Sequence, residues 1–156
     1  MKNKKQVGKA LGRISSGRFI VTAKFEDKED AVLASWVNQC SFDPPEVTVA
    51  LGQMRNARLL IESSHAFIVN ILGKESNQLM KHFFKSHEGS IFEGLKTRKG
   101  IGEVRILTDA VSYLECRVAD VVVSGDHVVY FGEVVGGDML KGGEPSIHVR
   151  DNGLNY

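Results

Sequence analysis

Two consecutive prolines, Pro44 and Pro45, constrain this 156-residue chain more than any other feature. Each proline fixes its own φ and donates no backbone hydrogen bond, and each pushes the residue before it towards an extended conformation. The segment ASWVNQCSFDPP (34–45) leads into this corner, and residues 47–51 follow it as an apolar strand. We predict a rigid elbow whose upstream backbone N–H groups would not be used by a helix or a simple hairpin.

Two interpretations of this corner remain open. Fixed backbone donors beside an aromatic ring, here Trp36, suit a flat ligand whose oxygen and nitrogen atoms need orienting. The alternative is an ordinary strand–turn–strand corner, because Pro and Asp are common in turns. The segment alone does not decide between a binding site and a turn.

Composition limits the function classes. The chain is 42% hydrophobic and 25% charged, as is usual for a globular protein, and its length predicts one domain over residues 1–156. A net charge of +1 gives no reason to expect a nucleic-acid partner. No stretch approaches the ~20 apolar residues of a membrane span. The basic N-terminus has no apolar region after it, so we expect a frayed, solvated end and no secretory signal.

Cysteine usage bears on the compartment. Cys40 and Cys116 are the only two cysteines, which is too few for a disulfide framework. Two separate thiols fit a reducing environment. We therefore predict a cytoplasmic protein.

Alternation and apolar runs predict a mainly β chain. Strands are expected at residues 17–25, 31–37, 47–51, 67–72, 112–124 and 128–135, with a short last strand near Ile147. Two short helices are expected, with Asn56 and Ser76 as N-caps, and the glycine-rich stretch 88–102 is predicted to be a mobile loop. Six or seven strands with two short helices indicate an antiparallel barrel, which removes exposed sheet edges by closing on itself.

Motifs for several common chemistries do not occur. The five histidines form no His-Glu-x-x-His pair and no cluster with cysteine, so no metal site is predicted. His82 and His87 are five residues apart and would not share a helix face. There is no Gly-x-Ser-x-Gly elbow and no Gly-x-Gly-x-x-Gly fingerprint. A nicotinamide nucleotide would therefore bind outside a Rossmann motif.

Residues 53–58, QMRNAR, lie where a strand is expected to end and a helix to begin. Helix-end N–H groups and nearby arginines form a ready anion site. The alternative is a capped surface helix with solvated arginines. Both interpretations stay open at this point.

Taken together, the segments resemble the flavin reductase-like family, the FMN-binding split barrels. The resemblance runs from about residue 8 to residue 156 and rests on ASWVNQCSFDPP with VTVAL, then FIVNIL, LMKHF, YLECRV, GDH and FGEV, in the family's order and spacing. ASWV and LMKHF most resemble the flavin reductase module fused to cyanobacterial flavodiiron proteins, and its free-standing or rubredoxin-linked relatives. The chain has no Cys-x-x-Cys pair, so a rubredoxin-type iron site would have to lie on another protein.

The resemblance implies a mainly β FMN-binding split barrel of six to seven antiparallel strands with short helices. It also implies a homodimer with the flavin near the subunit interface. It assigns cofactor contacts to Ala34, Ser35, Trp36, Val37, Ser41, Asp43, Gln53, Arg55, Asn56, Arg58 and Tyr156. Relatives usually carry Ser or Thr in the phosphate-binding turn, where this chain has Asn56 and Ala57. That departure shifts the expected phosphate contact to the arginines and the backbone.

His127, in Gly125-Asp126-His127, matches a family motif near the nicotinamide site. The same residues also fit a plain hairpin turn. His127 is therefore the candidate for positioning nicotinamide, and no catalytic acid or base is predicted.

The resemblance implies an NAD(P)H-dependent flavin oxidoreductase. Electrons would pass from NAD(P)H through bound FMN, with FAD as the alternative, to free flavin, oxygen or a redox partner such as rubredoxin or a flavodiiron protein. The protein's role would be placement, because the cofactor carries the chemistry. The alternatives are an FMN electron-transfer protein reduced by a protein donor, a flavin-dependent ferric reductase, and a flavin-free binding module.

Overall fold

The computed structural model describes residues 1–155, which form three α-helices and eleven β-strands. The helices are α1 (Lys4–Gly12), α2 (Asn56–Ser64) and α3 (Asn77–Phe84). The strands are β1 (Ser16–Gly17), β2 (Phe19–Phe25), β3 (Lys28–Ala34), β4 (Val37–Phe42), β5 (Pro45–Gly52), β6 (Ala66–Ile71), β7 (Thr97–Lys99), β8 (Arg105–Leu107), β9 (Ser112–Ser124), β10 (His127–Met139) and β11 (Ile147–His148). A short 3-10 helix, Ile101–Glu103, separates β7 from β8.

Seven strands form one antiparallel sheet in the order β3-β2-β6-β9-β10-β5-β4. The sheet curls, because β3 also contacts β5. Side chains from both halves of the sheet and from α2, among them Val21, Val49, Ile61, Phe67 and Tyr130, share one apolar core. This arrangement confirms the predicted mainly β, antiparallel barrel with short helices.

A buried pair of polar side chains ties β2, β6 and β8 together. The Asn70 side chain donates from Nδ2 to the carbonyl of Ile20 (3.0 Å) and accepts at Oδ1 from the backbone N–H of Leu107 (2.8 Å). The Thr22 hydroxyl donates to the carbonyl of Arg105 (2.6 Å) and accepts from Asn70 (3.3 Å). Thr22 and Asn70 are fully buried, so these bonds satisfy groups that would otherwise be costly to remove from water.

The prediction of a solvated, frayed N-terminus is correct in part: residues 1–6 are exposed, but the chain is helical from Lys4. Helix α1 begins at Lys4 and is held against the C-terminal segment by backbone hydrogen bonds from Arg150 to Gly12 (3.2 Å) and from Gly153 to Gly8 (2.7 Å). A side chain on Gly12 would clash with the carbonyl oxygen of Arg150. The close approach of the two segments therefore requires glycine at position 12.

The elbow predicted at the two prolines is a β-hairpin. Phe42, at the end of β4, lies opposite Pro45, at the start of β5, so Asp43 and Pro44 form the turn. We expected that a simple hairpin would not use the backbone N–H groups before the prolines. That expectation is wrong, because β4 pairs with β5 in the hairpin. The other side of β4 is an edge of the sheet. The strand expected over 31–37 ends at Ala34, because β3 and β4 are separate strands.

Residues 88–102, predicted to be a mobile loop, contain regular structure. β7 pairs with β8, and the 3-10 helix follows. Phe92 is buried in a second apolar cluster with Leu79 and Leu107. Burial of this one aromatic side chain holds the segment against α3 and β8. The glycine content of the segment did not indicate this packing.

Of the two predicted N-caps, Asn56 is wrong by one residue and Ser76 is confirmed in position. Arg55 is the N-cap of α2 and Asn56 is its first helical residue. Ser76 is the N-cap of α3, but its side chain makes no capping bond to the helix. Its hydroxyl instead accepts from the backbone N–H of Gly73 (2.9 Å), which fixes the loop before the helix.

We expect Asn70→Ala to lower the free energy of unfolding by about 2 kcal/mol or more, because it leaves buried donors and acceptors unpaired. Urea unfolding followed by circular dichroism measures the change. Asn38→Ala is the matched control: Asn38 is exposed on β4, and its replacement should change stability by less than about 0.5 kcal/mol. Equal losses in the two variants would show that Asn70 has no special structural role.

Candidate functional site

Three segments that are distant in sequence meet at one end of the sheet. They are the residues just before β4, the turn after β5 and the turn between β9 and β10. The indole of Trp36 lies 4.7 Å from the imidazole of His127, measured between ring centroids, with the rings tilted by 43°. His127 lies opposite Gly52 in the β10–β5 pair. The register of these two strands therefore sets the contact between the rings.

Gln53 joins the two turns. Its backbone N–H donates to the carbonyl of Asp126 (3.0 Å), and its side-chain amide donates to the carbonyl of Gly125 (2.9 Å). Gly125 has a φ of 61°, a left-handed conformation that glycine adopts without strain. Arg58 in turn donates from Nε to the carbonyl of Gln53 (3.1 Å). The β9–β10 turn is thus held from α2 through Gln53.

Arg58 has a charge partner within α2. It donates to a carboxylate oxygen of Glu62 (2.7 Å), and the Tyr130 hydroxyl donates to the same oxygen (2.8 Å). Burial, and then the bond to Glu62, raise the pKa of the Tyr130 hydroxyl above its ordinary value. Arg58 therefore links α2, the Gln53 turn and the barrel core, whereas the side chain of Arg55 is exposed.

An aspartate lies at the N-terminus of α2. Burial raises the pKa of Asp30, while hydrogen bonds from the backbone N–H groups of Ala31 and Ala57, followed by the charge of Arg55, act in the opposite direction. The start of α2 is therefore already in contact with an anionic group.

Asp126 determines the tautomer of His127. The Nδ1 atom of His127 lies 2.7 Å from a carboxylate oxygen of Asp126. A carboxylate only accepts, so Nδ1 carries the hydrogen and Nε2 is an acceptor in the neutral ring. The same contact lowers the pKa of Asp126. The guanidinium carbon of Arg150 lies 5.2 Å from the ring centroid of Trp36, within the range of a cation–π contact.

The structure brings only some of the predicted contact residues to this end of the sheet. Those that lead into or surround it are Ala34, Ser35, Trp36, Val37, Gln53, Arg55, Asn56 and Arg58. Ser41 and Asp43 lie at the other end of β4 and its turn, about 13 and 20 Å along the strand from Val37 at ~3.3 Å per residue. Tyr156 lies outside the described residues.

Sequence reasoning missed two arrangements. Nothing in the sequence indicated that Arg150 reaches Trp36. His82 and His87, which the spacing had separated, have ring centroids 4.4 Å apart. They meet because α3 ends at Phe84 and the chain folds back. Each Nε2 atom donates to a backbone carbonyl, that of Ile91 for His82 (2.7 Å) and that of His82 for His87 (2.8 Å).

Within residues 1–155, no group of three or more His, Cys, Asp and Glu side chains could hold a metal ion. Among the described helices, none is both long and apolar enough to cross a membrane. Cys40 and Cys116 are both free, and burial raises the pKa of the Cys116 thiol to about 12. The cytoplasmic location stays a prediction.

Comparison with known proteins identifies similar sequences over most of the chain. A family model described as "flavin reductase like domain" matches residues 11–153. The chain is 41% identical over 152 residues to "Diflavin flavoprotein A 1" of Synechocystis sp., covering 95% of this chain and 26% of that protein. It is 38% identical to "Putative diflavin flavoprotein A 3" of Nostoc sp., with the same two coverages of 95% and 26%. The chain therefore spans about a quarter of the length of these curated relatives.

Solved structures share the fold. A crystal structure of a nitrilotriacetate monooxygenase component B homologue from Mycobacterium thermoresistibile matches with a TM-score of 0.85 and 26% identity, over 96% of this chain and 84% of that chain. The NADH:FAD oxidoreductase SgcE6 of Streptomyces globisporus matches with a TM-score of 0.84 and 21% identity, over 95% and 90%. A second SgcE6 structure is a complex with NAD and FAD fragments. These similarities confirm the predicted split-barrel fold class.

Proposed function

The chain belongs to the flavin reductase-like family, and from this premise we propose that it is an NAD(P)H-dependent flavin oxidoreductase. In this proposal it binds FMN, with FAD as the alternative, and passes electrons to free flavin, oxygen, rubredoxin or a flavodiiron partner. The family match over residues 11–153 is the observation that carries the proposal. The relatives named as diflavin flavoproteins support a flavodiiron link.

The residues around Trp36 and His127 fit a flavin. A flavin presents a flat aromatic ring with oxygen and nitrogen atoms at its edges, and FMN adds a phosphate. Trp36 and His127 are half-buried rings in contact, Ser35 is a buried polar residue, and Arg55 adds an exposed cation nearby. Apolar walls with a few fixed polar groups are typical of cofactor sites.

A bound flavin would supply the chemistry of hydride transfer and electron transfer. The residues of the chain supply fixed positions. Gln53 and Arg58 hold the β9–β10 turn, and Asp126 keeps the hydrogen of His127 on Nδ1. His127 would thus present Nε2 in one orientation beside Trp36. Holding reactants in a productive arrangement can account for a large part of a rate enhancement.

The purified protein should be yellow, and heat should release FMN or FAD into the supernatant. Anaerobic addition of NADH or NADPH should bleach the flavin absorbance. A colourless protein that binds no added flavin at micromolar concentrations would contradict flavin binding. A micromolar dissociation constant corresponds to a binding free energy on the order of −8 kcal/mol. Yellow protein that neither nucleotide bleaches would instead select the electron-transfer protein reduced by a protein donor.

We expect Arg55→Ala to weaken FMN binding about tenfold to a hundredfold, because a charge-assisted contact to phosphate contributes roughly 1.5–3 kcal/mol. Riboflavin lacks the phosphate, so its affinity should barely change. Titrations of both flavins at matched ionic strength measure the difference, since salt screens exposed charges.

Arg58→Ala serves as the comparison variant, because Arg58 is engaged with Glu62 and Gln53. Loss of Arg58 should loosen the turn and weaken FMN and riboflavin to similar extents. If Arg55→Ala also affects both flavins equally, or neither, the flavin phosphate does not lie at Arg55.

We also propose a homodimer that uses the β9–β10 ribbon. Val121, Val122 and Val123 on β9 are 41%, 47% and 69% exposed, and contiguous exposed apolar residues mark interaction surfaces. Sedimentation equilibrium should give twice the monomer mass for the wild type and a shift to monomer for Val122→Lys. The control is Ile14→Lys, at an apolar position 67% exposed after α1. A monomeric wild type, or equal effects of both substitutions, would contradict this surface.

A further inference from the structure

The positive charge of the chain is concentrated near its N-terminus. Residues 1–25 contain seven lysines and arginines and no aspartate or glutamate, although the whole chain has a net charge of only +1. The remaining residues therefore carry a net charge of −6. Such an asymmetry within one domain gives the molecule a basic end and an acidic remainder, which orients it in the field of a charged partner.

Helix α1 presents part of this charge in a row. Lys5, Lys9 and Arg13 are spaced four residues apart, so they lie along one side of the helix, and all three are exposed. Arg13 lies 3.7 Å from a carboxylate oxygen of Asp151. Within residues 1–155, neither Lys5 nor Lys9 forms an ion pair. We call Lys5, Lys9 and Arg13 the basic row.

The stability of α1 does not explain the basic row. Like charges four residues apart destabilise a helix, and cations in the first turn oppose the helix dipole. The first turn of α1 begins with Lys4 and Lys5, contains no acidic residue and receives no capping bond from the side chain of Asn3. These charges are therefore unfavourable for the helix itself, and an acidic surface brought against them would offset that cost.

Exposed apolar side chains border the basic row. Ile14, directly after the row, is 67% exposed, and Ile147 and Val149, in and just after β11, are 66% and 47% exposed. β11 pairs with β1, and the N–H of Arg150 donates to the carbonyl of Gly12, so the apolar residues come from two adjoining segments. An apolar centre with charged groups around it is typical of protein–protein interfaces, whereas nucleic-acid interfaces are more polar and more positively charged.

This surface adjoins the candidate site. Gly12 is the last residue of α1, and its carbonyl accepts from the N–H of Arg150 (3.2 Å). The guanidinium carbon of Arg150 lies 5.2 Å from the ring centroid of Trp36. One residue thus connects the end of α1 to a ring of the site. Because electron transfer weakens with distance, a protein docked here would be well placed to exchange electrons with the site.

We propose that the basic row and the apolar residues beside it form a docking surface for the acidic face of an electron-carrier protein. Opposite charges steer such partners together and fix their orientation. Acidic residues of the partner would supply the counter-charge that α1 lacks. That the partner carries electrons rests on the proposed function, whereas the binding of an acidic protein surface does not.

The test measures binding of a labelled rubredoxin of negative net charge to the full chain by fluorescence anisotropy, without added nucleotide. We expect saturable binding at about 10 mM salt that weakens at least about tenfold at about 150 mM, because the Debye length falls from roughly 30 Å to roughly 8 Å. Lys9→Glu should weaken binding at low salt about tenfold, since it inverts the charge in the middle of the row. Its melting temperature should be unchanged or higher, because the new carboxylate has a cation four residues away on either side.

Lys28→Glu is the matched control. Lys28 is exposed opposite Phe25, at the end of β2 that is distant from β1, and its replacement makes the same change in charge. This variant should bind rubredoxin as the wild type does, whereas Ile14→Ser should weaken binding. No saturable binding by the wild type, equal weakening in the two charge variants, or unchanged binding by Ile14→Ser would overturn the docking surface.

Duplex DNA and vesicles of anionic lipid test the other classes of partner. If either binds more tightly than rubredoxin at the same salt concentration and is unaffected by Ile14→Ser, the basic row serves a polyanion and the proposal is overturned. The binding measurement does not depend on reductase activity. A protein that binds rubredoxin but is not bleached by NADH or NADPH would keep the docking surface and contradict only the proposed function.

Discussion

The two hydrogen bonds from Gln53 to the β9–β10 turn connect the parts of the candidate site. They hold the turn that leads into His127, and the register of β10 against β5 then places His127 opposite Gly52. Trp36 reaches His127 because the backbone N–H of Ala50 donates to its carbonyl (3.0 Å), which holds the start of β4 on β5. The ring contact thus follows from backbone geometry, and the side chains need only fill the space that the strands define.

The arginines near this end of the sheet have different surroundings. Arg58 is engaged with Glu62, whereas Arg55 is exposed and its charge acts on the Asp30 carboxyl group at the start of α2. Arg18 and Arg150 lie instead on the segments around β1 and β11, where burial, followed by the charges of these two arginines, lowers the pKa of His148.

Local patterns predicted most of the sheet but few of its connections. Alternation and β-branched runs identified β2, β6, β9 and β10, because those strands bury regular sets of side chains. The helix α1 was missed because its stability comes from the C-terminal segment, and the role of Gly12 becomes clear only beside Arg150. The Asn56 cap failed because Asp30, from a neighbouring strand, already binds the helix start. The meeting of Trp36, Gln53 and His127 follows from strand register, which a single sequence does not contain.

Helix α1, which the sequence patterns did not predict, therefore bears on the candidate site. Gly12 lets the backbone of Arg150 approach α1, and that position determines where the guanidinium lies relative to Trp36. Trp36 in turn contacts His127, so one indole ring adjoins both the turn held by Gln53 and the guanidinium group of Arg150. A change in the packing of α1 would move Arg150 relative to the indole, while the hydrogen bonds of Gln53 would keep His127 in place. The two sides of the site are thus held independently, one by the sheet and the other by the contact between the ends of the chain.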